Sequence, residues 1–141
     1  MKDPTDNIFE SVEMRLSGQL EYEDEPFQVF VDIPETLPNN YVFISDVILS
    51  DDSTTDTPCM DGVIVLEIVS GGYAHATNRK AVTNVVNQLM NLLIHESMET
   101  TNFYITIEPY VENMRTVREA MNGSISIKRL LSLKIKTEQI C

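Results

Sequence analysis

The chain has 141 residues, 43% of them hydrophobic, enough to bury a core in one globular domain spanning residues 1–141 without disulfide or metal staples. Ten basic residues against 22 acidic ones give a formal net charge of -12, which argues against broad adhesion to nucleic-acid phosphates. Cys59 and Cys141 are the only cysteines, one in a presumptive loop tip and one at the last position. Neither belongs to a CxxC or His/Cys cluster, so neither a disulfide framework nor a zinc site is indicated.

The opening "MKDPTDNIFESVEMRL" lacks the apolar run of a secretory signal, and no stretch long enough to cross a membrane as an apolar helix occurs. These features predict a protein made in the cytosol with no membrane partner. From Asp6 to Ser17, Ile8, Phe9, Val12 and Leu16 recur at helical spacing, with Asp6 as a candidate cap and Gly18 as a terminator. The acidic "EYEDEP" reads as a linker. "FQVFVDIP" then alternates Phe27, Val29 and Val31 against Gln28, Phe30 and Asp32, which predicts a strand ended by Pro34.

After the turn-rich "PETLPNN", β-branched and aromatic content predicts a strand from Tyr41 to Leu49. "GVIVLEIVS", Gly62 to Ser70, is the most apolar strand, predicted to be central in the sheet and paired with the one before it. Between them, "SDDSTTDTPCMDG" invites a calcium reading through Asp51, Asp52, Asp56 and Asp61. The spacing lacks the alternating ligands, sixth-position Gly and twelfth-position Glu of an EF-hand loop, which favours a solvated hairpin tip.

Thr77 or Asn78 could cap a helix from Arg79 to His95, whose stripe of Val82, Val85, Val86, Leu89, Met90 and Leu93 should lie on the sheet. "NFYITIEPYVEN" predicts a strand from Phe103 to Val111 with an edge or bulge at Pro109. "GSISIKRLLSLKIKT" predicts another, with a phase change near Arg129 and Leu130 readable as a bulge; "MRTVREAMNG" between them suits a helical turn or a wide loop. The expected fold class is therefore α+β: a mostly antiparallel sheet of four to five strands, a main helix packed on one face and a short N-terminal helix.

Few residues suggest chemistry. His75 and His95 stand a helix length apart and read as surface or cap residues, "SGGY" lacks the Gly-Lys-Ser/Thr of a P-loop, and no Ser or Cys sits in a nucleophile-elbow pattern. No cofactor and no enzyme activity are indicated. Met60 and Met114 read as core or interface filler, with core the default. Arg79 and Lys80 stand near a helix start, where the dipole disfavours cations, and so hint at a partner surface. Cations gather in the C-terminal third, including Arg115 and Arg118, while the first 70 residues hold only Lys2 and Arg15. Such a split can produce a positive and a negative face, which suits head-to-tail self-association and a merely dipolar monomer equally.

"PNNYVFISDVILSDDSTTDTPCMDGVIVLEIVSGG" followed by "NRKAVTNVVNQLMNLL" resembles the tail terminator, or tail completion, family of long-tailed bacteriophages. Pro38, Tyr41, Val42, Ile44, Asp51, Asp52, Ser53, Ser70, Arg79 and Lys80 stand in corresponding positions, while Ser45 replaces the usual Gly. The resemblance implies a non-enzymatic virion protein, assembled in the host cytoplasm, that forms a ring, usually a hexamer, on the finished tail tube. Its implied partners are further copies of itself, the tail tube protein, a neck or head-completion protein, and genomic DNA passing through an acidic lumen. Asp51, Asp52, Asp56, Arg79, Lys80, Arg115 and Arg118 become candidate subunit or tube contacts. The alternatives are a neck adaptor of the adjacent ring and, from another class, a calcium- or small-ligand-binding α+β module.

Overall fold

A computed structural model describes residues 3–51, 59–71, 74–94, 97–100, 102–121 and 124–139. Helix α1 spans Thr5–Leu16 and buries Ile8, Val12 and Leu16, three positions on one stripe. Its entry differs from the sequence expectation: Asp3, rather than Asp6, takes the free amide of Thr5 at 2.9 Å and the Thr5 hydroxyl at 2.6 Å. Those hydrogen bonds hold the Asp3 carboxyl below its ordinary range. Asp6 stays in the first turn, where its charge complements the dipole. Gly18, at φ 73, turns the chain out of the helix as expected.

The acidic "linker" is a small antiparallel hairpin, β1 (Glu21–Tyr22) with β2 (Glu25–Pro26). Glu23 and Asp24 both adopt positive φ at its turn, a conformation matched to the twist of tight hairpins but not announced by any glycine. Strand β3 is only Gln28–Phe30, and it runs parallel to β4 (Asn40–Asp51), because the turn-rich 31–39 segment carries the chain back to the same end of the sheet. Phe30, which interrupts the apolar alternation, packs its ring against Tyr41 at a centroid distance of 6.3 Å.

Strand β5 (Cys59–Ser70) pairs antiparallel with β4 from Asn40↔Ser70 to Asp51↔Met60, so the strand pairing expected on either side of the acidic segment is present. Residues 52–58, Asp52 and Asp56 among them, on which the expected solvated tip falls, lie outside the described residues. Cys59 belongs to the strand, where it is buried, and not to the loop. A bulge at Ser45 shifts the β4 register by one residue, and the Ser45 hydroxyl donates to the Val65 carbonyl at 3.2 Å.

Helix α2 (His75–Ile94) starts earlier than the capping pattern suggests, and Thr77 and Asn78 lie inside it. Ala81, Val82, Val85, Val86, Leu89 and Leu93 are buried and Met90 partly so, which gives the predicted stripe. The side chain of His75, and all of His95, lie outside what is described. Beyond the short β6 (Met98–Glu99) come two long strands, β7 (Phe103–Met121) and β8 (Ser124–Gln139). "MRTVREAM" is therefore the second half of β7, neither helix nor loop. The irregularity expected at Pro109 is real, since the register shifts between Ile107 and Val111 and again before Asn113. The bulge expected in β8 is not: β8 keeps continuous register with β5 from Cys59↔Glu138 to Ser70↔Ile127.

The main sheet has six strands in the order β3-β4-β5-β8-β7-β6, all neighbours antiparallel except β3 and β4. The class is α+β as expected, with more strands than four to five. β5 is central. α2 lies over β5, β8 and β7, and α1 packs beside it against β3 and β4. Between the helices and this face sit Val42, Ile44, Ile64, Leu66, Ile68, Leu131, Leu133 and Ile135, all buried. Each such side chain contributes about 1.5–3 kcal/mol, the main force docking the helices on the sheet.

Candidate interaction surfaces

Period-two alternation assigns every strand residue to the helix-covered face or to the opposite one, and no described element covers the latter. On that open face Glu67, Lys128 and Glu119 meet across three neighbouring strands: the Lys128 ammonium lies 3.2 Å from Glu67 and 3.1 Å from Glu119. Burial alone would lower the Lys128 pKa, yet hydrogen bonds to Glu119 and Glu67, reinforced by their charges, outweigh it and raise the value. Burial raises the Tyr41 phenol, while the nearby Lys128 charge pulls the other way. Farther along, Lys134 pairs with Glu112 at 3.6 Å.

Above the triad is a cleft of about 530 Å³, lined on one side by Ile33, Leu37 and Tyr41 and on the other by Val69, Glu119 and Lys128. Ile33 is 64% exposed and Leu37 41%, so the cleft presents apolar surface beside a compensated charge cluster. The Ser126 hydroxyl at its margin donates to the Glu119 backbone carbonyl at 3.3 Å. Among the described residues no group of three or more His, Cys, Asp or Glu could hold a metal ion.

The helix-covered face has a different surface beside the exposed flank of α2. Arg79, Lys80, Thr83, Asn84 and Asn87 of α2, with Arg129 of β8, line a trough of about 320 Å³. Arg79 and Lys80 are exposed on the first turns of α2, and neither has a carboxylate partner among the described residues. Arg129 pairs with Ile68 and Thr116 in the sheet, lies partly under the helix and donates from Nη1 to Met114 Sδ at 3.6 Å. Its Nε is fully buried with no hydrogen-bond partner.

The expected contact residues thus separate. Arg79 and Lys80 come together with Arg129. Arg118, opposite Ile127, is exposed on the same face of the sheet, whereas Arg115, opposite Leu130, projects from the other face. Asp51 ends β4, away from both. Met114 is 41% exposed and so is not core. The phase change near Arg129 reads as a bulge and hides its placement, although Ile125, Ile127, Leu131, Leu133 and Ile135 keep a single phase that puts residue 129 on the helix-facing side. Nothing in the local sequence sets Lys128 apart; only the cross-strand register reveals its two glutamates.

From Val111 to Met121 the outer edge of β7 pairs with no described strand, because β6 reaches only Tyr104 and Ile105. Glu112, Arg115, Arg118 and Glu119 punctuate that edge, and such charges discourage indiscriminate strand addition.

No known family model matches the sequence, and no curated protein matches it. Among solved structures, the chain is similar in fold to one from the virion of a native gene transfer agent particle. The TM-score is 0.60, with 12% sequence identity and 78% of each chain covered. At that identity the likeness is one of fold.

Proposed function

We propose that this chain is a structural virion protein of the tail terminator type. In this reading it acts as one domain that forms a ring, of six copies, at the head-proximal end of a tail tube, stops tube growth and presents the surface to which the head joins. It carries no catalytic activity and works in the virion after assembly in the host cytoplasm. The observation that carries the proposal is the shared fold, over 78% of both chains, with a component of a gene transfer agent virion. The residue resemblance in the 38–93 region points the same way independently of the overall superposition.

The surfaces support it. An uncovered sheet face, an unpartnered edge along half of β7 and an uncompensated cationic trough are features that further protein subunits would cover. A net charge of -12 would let DNA pass through a lumen formed by such subunits with little adhesion. Native mass spectrometry of the purified full chain, with negative-stain images, tests the reading: closed rings of uniform copy number, alone or on added tail tubes, are the expected result. A chain that stays monomeric under both conditions overturns it, and a ring that binds isolated heads but not tubes replaces it with the neck adaptor of the adjacent ring.

A further inference from the structure

The cationic trough has a counterpart at the other margin of the helix-bearing layer. Where α1 meets the end of β3, Asp6, Phe9, Glu10, Val31 and Asp32 line a notch of about 360 Å³. Its three carboxylates are exposed, its floor is the half-buried pair Phe9 and Val31, and no described cation pairs with any of the three. The strand order fixes the lateral separation: α1 sits over β3 and β4 at one margin of the sheet, whereas the trough opens beside β8 toward β7 at the other. Both depressions lie on the helix-bearing layer, and their volumes, about 360 and 320 Å³, are similar.

We infer that the acidic notch of one copy docks against the basic trough of the next, with Asp6, Glu10 and Asp32 facing Arg79, Lys80 and Arg129. This rests on the ring reading above and names the surfaces that build the ring. Two complementary patches on opposite margins make a heterologous contact, the kind that closes into a ring when the rotation between copies permits. Charge decides the occupant. In a chain of net charge -12, three cations gathered without carboxylate partners are a local reversal of sign, and an acidic patch at the opposite margin of the same protein complements it.

Two double variants of the full chain test the pairing. Arg79→Glu with Lys80→Glu makes both margins acidic; Glu10→Lys with Asp32→Lys makes both basic. The first pair also suits the N-terminal half of α2 electrostatically, so unfolding is not the expected outcome, and circular dichroism melts establish that each variant is folded. Each variant alone should associate on the order of 100-fold more weakly than the natural chain, by native mass spectrometry or light scattering at low salt. Mixed one to one, the variants should recover rings in which they alternate, because every contact again joins opposite charges. Rings formed by the natural chain and by each variant alike would overturn this interface and leave the ring reading standing. Failure of the mixture to recover association would also overturn it, and absence of any ring from the natural chain, even on tubes, would remove both.

Discussion

The side-chain amide of Asn78 donates to the carbonyl oxygen of Ile125 at 3.2 Å, joining the first turns of α2 to the start of β8. Asn78 is completely buried, and the Ser70 hydroxyl approaches its Oδ1 at 3.2 Å while also reaching Asn40 Oδ1 at 2.8 Å. One helix and the ends of β4, β5 and β8 are therefore tied through a single polar node. The same node holds the helix segment that carries Arg79 and Lys80.

Asn78→Ala should cost about 2 kcal/mol of stability, because it removes a buried donor and leaves a small void. Urea unfolding measures it. A change below about 0.5 kcal/mol would mean that the α2 start is held by its apolar contacts alone.

Replacing Val86 and Leu89 by Asp together should abolish folding, since both sit at the helix–sheet interface with 2% and 0% exposure. Leu89→Ala, a milder change, should cost about 3 kcal/mol. Far-ultraviolet circular dichroism of the double variant is the check, and a native spectrum would contradict the assigned face of α2.

These apolar positions were legible in the sequence because a covered face imposes periodicity. The second half of β7 was not legible for the converse reason. Met114, Arg115, Thr116 and Arg118 are all exposed, on whichever face they fall, so alternation carries no polar-versus-apolar contrast. The β1–β2 turn was hidden because Glu23 and Asp24 hold positive φ without a glycine to mark it. Of the candidate contacts, the sequence suggested Arg79 and Lys80 from their awkward place near a helix start. Their meeting with Arg129 depends on which residues α2 leaves uncovered, a tertiary fact.

Gly62→Ala should destabilise by about 2 kcal/mol. A Cβ at residue 62 would clash with the Ile48 carbonyl oxygen and crowd Leu49 Cδ2 at 2.9 Å, and the backbone atom cannot swing aside as a side chain could. Thermal melting of the variant tests this; an unchanged melting temperature would show that β4 and β5 can separate locally at no cost.

The triad of Lys128, Glu67 and Glu119 sets a pH dependence. Because the folded-state pKa of Lys128 is raised, its stabilising contribution is complete below the ordinary lysine value of 10.5 and is lost as pH rises through the higher folded value. Lys128→Met should cost about 1 kcal/mol at neutral pH, since two glutamates then face each other without a cation, and should flatten the alkaline limb of the stability curve. Unfolding free energies from pH 7 to 11 would show it, and parallel curves for both proteins would contradict it.

A chain that ends a tail tube, as proposed here, can be located on the tube by labelling. Tail tube protein is polymerised with and without the chain, and gold-labelled chain is located by electron microscopy. Label confined to one tube end, one ring per tube, with growth halted there, is the expected result. Label along the tube walls, or tubes that lengthen unchanged with no label at either end, would contradict it.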